Sequence, residues 1–186
     1  MIGFAFCGSF CTLKRALDVL RSLRQAGYDI QPIVSERVYS LDTRFFEARD
    51  FRARVEALCG REVLHTVDGC EPLGPRTPLE ALVVAPCTGN TLAKCAAGIT
   101  DSAVTMALKA HLRADRPTLI ALASNDAMSH NLKNIAALLT RKSVFFTPLA
   151  QDDPLGKPYS LVADFARIPE ALTAALEGRQ LHPLFL

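Results

Sequence analysis

The sequence predicts an α/β fold: one Rossmann-like or flavodoxin-like domain spanning residues 1–186, with a parallel sheet between two helical layers. Two observations carry this. Apolar runs short enough for strands alternate with segments of helical periodicity, and the runs are strongly apolar, as strands buried on both faces are. A third is the way the run Leu79–Ala85 stops at Pro86-Cys87-Thr88-Gly89-Asn90-Thr91 and passes at once into a helix-like stretch. Small polar turns of this kind, between a buried strand and a helix N-terminus, attract anions and are common phosphate sites. We therefore expect a phosphate group there.

The elements follow in order. Ile2–Cys7 reads as the first strand, ending at Gly8-Ser9. Leu13, Ala16, Leu17, Leu20 and Leu23 then form one face of a helix, opposite Lys14, Arg15, Asp18 and Arg21, and Gly27 ends it. Asp29–Ser35 is the second strand. Arg44–Leu58 reads as a helix closed by Gly60, and Glu62–Val67 as a short extended piece. After the strand Leu79–Ala85 a short helix ends near Gly98, and Thr100 or Asp101 caps another that runs to about Arg113. Pro117–Ala123 is the next strand, Met128–Thr140 a helix and Ser143–Thr147 the last short strand. Ala150–Pro158 reads as an irregular polar loop and Val162–Leu176 as a C-terminal helix ending at Gly178.

Composition narrows the function. A net charge of +2, with 22% charged residues, gives no footprint for nucleic acid or an anionic membrane as the main partner. No apolar stretch reaches the roughly 20 residues that span a bilayer, and the N-terminus lacks the pattern of a signal peptide, so a cytoplasmic protein is expected. The six cysteines form no C-x-x-C pair. Buried thiols are the expectation for most of them, with no metal site. Cys87 reads as a small packing residue, and the basic residues of the first helix, Arg15 among them, as solvated surface. In such a fold ligands sit at the carboxyl ends of the strands, which here supply Cys7-Gly8-Ser9, Val34-Ser35, Pro86–Thr91 and Ala123-Ser124-Asn125. None carries a pair of carboxylates. These loops are suited to holding a small molecule.

The segment Ala85–Lys94, followed by Gly98-Ile99-Thr100-Asp101, resembles the Pro-Ala-Ser-Ala-Asn-Thr signature of the flavoprotein family that contains the homo-oligomeric FMN-dependent cysteine decarboxylases, and Gly8-Ser9 matches as well. That family's later Pro-x-Met-Asn-x-x-Met-Trp motif is eroded here to Leu122–Ser129, where Asn125 and Met128 survive. Glu71–Pro75, Cys87-Thr88-Gly89-Asn90, Ser124–Ala127, Gln151-Asp152-Asp153-Pro154 and Lys157-Pro158 are instead similar to the branch formed by B subunits of dipicolinate synthase. The resemblance covers nearly the whole chain.

The resemblance implies a subunit that works with a dinucleotide-binding A subunit, the carrier of NAD(P), to convert dihydrodipicolinate to dipicolinate in the mother cell of a sporulating bacterium. It also implies FMN, because this aromatisation removes two electrons from a ring. By motif position Gly8, Ser9, Ser35 and Thr88 face the FMN phosphate and ribityl chain, with Thr91 nearby and Asp101 and Ser102 at the rim. Asn90 and Asn125 would hold a substrate carboxylate. His65 is the candidate proton acceptor, since imidazole titrates near neutrality, although a lone histidine at a strand end also reads as structural. The family implies a trimer or dodecamer with FMN between subunits. Two alternatives stay open at this stage: an FMN-dependent decarboxylase, and a non-catalytic partner that keeps the fold and stabilises the A subunit.

Overall fold

A computed structural model describes residues 1–74 and 76–186; Pro75, the last residue of the Glu71–Pro75 motif, lies outside the described residues. The first strand, β1 (Ile2–Phe6), is buried along its whole length, and so is β3 (Leu82–Cys87) beside it. Burial on both faces explains why neither run alternates with polar residues. β1 pairs in parallel with β2 (Ile30–Val34) on one side and with β3 on the other. β3 pairs in parallel with β4 (Thr118–Ser124), whose first half pairs in parallel with β5 (Val144–Phe146). The chain thus runs from β1 outward to β2 and returns to β3 across β1, which gives a mostly parallel sheet of flavodoxin-like order. A crevice opens beyond the carboxyl ends of β1 and β3, where the strand order reverses.

Helices cover both faces. α1 (Leu13–Gln25) buries Leu13, Ala16, Leu17, Val19, Leu20 and Leu23 and packs against α3 (Ala48–Cys59) and α8 (Ile168–Leu176). On the other side α6 (Ala103–Leu112) packs against α5 (Gly89–Ala97) and the single turn α4 (Val67–Cys70), and α5 against α7 (Leu132–Leu139). Phe4, Phe6 and Phe51 are fully buried between β1 and α3, with Phe6 and Phe51 edge to face at 5.3 Å. Each such ring contributes about 1.5–3 kcal/mol through area removed from water. Gly60 and Gly98 end α3 and α5 in the left-handed region, as the sequence predicts.

Five local expectations need correction. The helix expected over Arg44–Leu58 starts only at Ala48, because Asp42 Oδ1 accepts the Ala48 N–H at 2.8 Å and Thr43 Oγ1 accepts the N–H groups of Phe45 and Phe46. Arg44 and Phe45 therefore stand in a turn. A short helix, α2 (Glu36–Ser40), follows β2 unannounced, and the extended piece Glu62–Val67 contributes only one bridge, Leu64 to Ile33. The cap of α6 is Ser102, in a reciprocal box with Thr105, whereas the expected cap Asp101 is engaged by Lys94 at 2.8 Å. The helix expected from Met128 begins at Leu132, since Asp126 holds residues 129–131 in turns through its backbone carbonyl. The largest departure is at the C-terminal end. Leu149–Ala150 (β6) and Leu161–Ala163 (β7) pair antiparallel, and β7 also runs antiparallel to the second half of β4, so the helix expected from Val162 starts at Ile168.

Candidate functional site

The crevice is a cleft of about 760 Å³ lined from six directions. Its floor is Gly8-Ser9 after β1, Thr88-Gly89 after β3 and Ser124-Asn125-Asp126 after β4. Phe10, Cys11 and Thr12 lead from β1 into α1, and Arg15 adds a cation from the first turn of that helix. Arg44 and Phe45 enter from the turn before α3, Asp152 and Lys157 from the β6–β7 connection, and Val162 from β7 itself. A volume of this size suits a cofactor or drug-sized ligand.

The floor is fixed by hydrogen bonds among its own residues. Thr88 caps α5: its hydroxyl accepts the Thr91 N–H at 3.2 Å and donates to Thr91 Oγ1 at 3.1 Å. Thr91 is buried beneath it. Asp126 ties the neighbouring loop together, accepting from Ser124 Oγ at 2.5 Å and from Asn131 Nδ2 at 2.9 Å, and these two donors hold its carboxyl below the usual range. A methyl group on Gly89 would sit 2.4 Å from Ser124 Oγ, 2.6 Å from Asn131 Nδ2 and 2.8 Å from Asp126 Oδ1. Only glycine allows the loop to come this close to α5. The Asp126 carboxylate therefore stands close to Gly89, the first residue of α5.

The walls carry the free charge. Lys157 Nζ lies 3.0 Å from Asp152 Oδ2, and Ser160 Oγ donates to Asp152 Oδ1 at 2.8 Å. The ammonium and then the hydroxyl push the Asp152 carboxyl down, and Asp152 pushes Lys157 up. Arg44 lies over the Phe45 ring at 4.8 Å. Cys7 and Cys87 lie under the floor, and burial drives both thiols up, Cys7 to about 11. They are packing residues at neutral pH. Among the described residues no group of three or more His, Cys, Asp or Glu side chains could hold a metal ion.

The structure brings together Gly8, Ser9, Thr88 and Asn125 in the cleft. Ser35 caps the start of α2 beside β1, its N–H donating to the Phe6 carbonyl at 2.9 Å, and its buried Oγ has no partner. Asn90 is exposed on the first turn of α5 and Asp101 is exposed against Lys94, while Ser102 caps α6 next to Ala103, whose N–H donates to Glu36 Oε1 at 2.8 Å. His65 lies elsewhere. It stacks on Tyr39 with centroids 3.6 Å apart, in a separate polar pocket with Arg52, Glu56 and Glu62 near β2. Sequence reasoning missed Arg44 and Phe45 because helical periodicity absorbed them, and it assigned Arg15 to solvent. The Asp42-Thr43 pair, a turn and cap signal, marks the break before α3.

A model of the Flavoprotein family matches residues 1–166 of the sequence. The chain belongs to this family. It is 39% identical over 185 residues to the dipicolinate synthase B subunit of Bacillus subtilis strain 168, covering 100% of this chain and 92% of that protein. The crystal structure of the dipicolinate synthase B subunit from Bacillus halodurans superimposes with a TM-score of 0.91 at 37% identity, covering 100% of this chain and 95% of the other. The FMN-dependent cysteine decarboxylase SpaF shares the fold, with a TM-score of 0.71 at 22% identity over 95% of each chain. The family match and the full-length similarity to B subunits both extend over the segments that line the cleft, the β6–β7 connection included.

Proposed function

We propose that this flavoprotein is the B-type subunit of a dipicolinate synthase, converting dihydrodipicolinate to dipicolinate together with a dinucleotide-binding A subunit. NAD(P) belongs to that partner, and the setting is the cytoplasm of the mother cell during endospore formation. The observation that carries the reading is the cleft: a hydroxyl-lined floor at the carboxyl ends of β1, β3 and β4, in a chain similar end to end to B subunits.

The residues present fit FMN. Ser35 Oγ, at the end of β2 and outside the residues that line the cleft, is buried without a partner, and an orphaned hydroxyl of this kind carries a desolvation cost that contact with a ligand phosphate oxygen would remove. Gly8, Ser9 and Ser35 would hold the phosphate end, Thr88 the ribityl chain, with Phe10, Phe45 and Val162 as the apolar surface beside the ring. When bound, FMN supplies a two-electron acceptor. The chain's own part is to place the substrate ring and exclude water. Asn125, from the loop that Asp126 makes rigid, donates its amide to a substrate carboxylate in the cleft, and Asn90 presents a second amide at the start of α5. Thr91 sets the orientation of Thr88 from below. Asp101 and Ser102, at the start of α6 and outside the residues that line the cleft, would reach a neighbouring site through a subunit contact in a trimer or dodecamer.

The test is spectroscopic and then kinetic. Purified chain titrated with FMN should take up flavin stoichiometrically, and turnover of dihydrodipicolinate should require both chains and flavin. Full turnover of the A subunit with the flavin site empty would overturn the flavin reading and leave this chain a non-catalytic partner.

A further inference from the structure

Three cations line the cleft, Arg15, Arg44 and Lys157, and they come from three separate segments: α1, the turn before α3 and the β6–β7 connection. Two carboxylates face the same space, and both are engaged. Asp126 accepts from Ser124 and Asn131, and Asp152 accepts from Lys157 and Ser160. Among the described residues Arg15 and Arg44 have no carboxylate within ion-pair distance. Arg44 is exposed, and its guanidinium lies 4.8 Å from the centre of the exposed Phe45 ring, a contact that favours this position without neutralising its charge. Lys157 is held by Asp152, and a ligand carboxylate on its free donors would share rather than replace that contact. The cations of the cleft all lie in its walls.

We propose that Arg44 and Lys157, facing the cleft from two different segments, form a two-point clamp that selects a dicarboxylate over a monocarboxylate, with Arg15 raising the local positive potential. Planar guanidinium matches carboxylate geometry with paired hydrogen bonds, whereas the ammonium of Lys157 acts as a point charge on the second carboxylate. The clamp is specificity-determining: it fixes the ring by both acid groups and leaves the proton and electron transfers to other groups. The inference rests on the reading of the cleft as a dipicolinate-forming site.

The test uses the full chain saturated with FMN, with binding of dipicolinate and of picolinate followed by calorimetry. Wild type should bind dipicolinate more tightly than picolinate. Arg44→Gln and Lys157→Met should each weaken dipicolinate about ten- to hundredfold, as expected for a lost charge-assisted pair, and leave FMN uptake unchanged. In each variant the preference for dipicolinate over picolinate should collapse toward parity. Circular dichroism of both variants establishes that the fold is kept. Dipicolinate binding that ignores both substitutions overturns the clamp and leaves the functional reading standing. Loss of FMN rather than of dipicolinate assigns the cations to the flavin phosphate and likewise overturns it. A wild-type chain that retains FMN but binds no dipicolinate, alone or with the A subunit, overturns clamp and function together.

Discussion

Asn131 donates its side-chain amide to the Asp126 carboxylate at 2.9 Å, and this bond joins the end of β4 to the start of α7 directly beneath the cleft. Gly89 of α5 lies against the same pair. One carboxylate therefore fixes the relative positions of three segments that form the floor, and the position of Asn125 follows from it.

Asp126→Asn should reduce stability at neutral pH by about 1–3 kcal/mol, because a charged acceptor is lost from two part-buried donors. Its folded carboxyl titrates below the ordinary carboxylate value, chiefly through Ser124 and then Asn131. The stabilisation is therefore present above about pH 4, the unfolded value, and is lost as pH falls through the lower folded value. Denaturant midpoints measured from neutral pH downward should fall less for the variant than for wild type. Equal acid sensitivity would show that Asp126 is not a stabilising carboxylate.

Gly89→Ala and Gly8→Ala should differ sharply. At Gly89 the added methyl meets Ser124 Oγ at 2.4 Å, while at Gly8 the nearest atom is Phe10 Cε2 at 3.4 Å. Overpacking of the first kind costs about 1–3 kcal/mol, and the second should stay within about 0.5 kcal/mol. Thermal melts of the two variants make the comparison, and equal melting temperatures would refute the close approach at Gly89.

Ser35→Ala separates a ligand role from a structural one. Its Oγ is buried without a partner, so removing it breaks no hydrogen bond and should leave the protein equally stable or up to about 1 kcal/mol more stable. FMN affinity should fall about tenfold, as for one lost hydrogen bond. Unaltered FMN binding would place the phosphate elsewhere.

His65→Ala should leave FMN uptake by the chain intact, because the imidazole stacks on Tyr39 outside the cleft. In the assembled A–B complex turnover should drop at least tenfold if the imidazole serves as proton acceptor across a subunit contact. Turnover at the wild-type level removes His65 from the mechanism and leaves it a stacking partner worth about 0.5–1.5 kcal/mol.

Much of the fold was legible because it depends on neighbours in sequence. The runs that became β1 to β5 announced themselves through apolar character, interrupted in β2 by Gln31, and Gly60 and Gly98 stopped helices where expected. Local signals failed where a distant partner decided the outcome. Val162 sits in a stretch with helical periodicity, yet β4 offers it an unpaired edge beyond the end of β5, so the backbone takes antiparallel bonds there first. Leu79 reads as strand but lies before β3, filling the space above Gly3, where its Cδ1 would stand 2.7 Å from an added methyl.

The sequence by itself determined which segments are buried, in what order strands and helices alternate, and that Gly8-Ser9 and Thr88 end strands. Those properties follow from apolar periodicity and capping, which act over a few residues. Only the tertiary structure decided that Arg15, Arg44, Asp126 and Lys157 share one cleft, that Asp126 lies against Gly89 of α5, and that His65 stands apart from it. These are contacts between segments far apart in the chain. They are fixed by the strand order and by the antiparallel β6–β7 pair on the edge of β4.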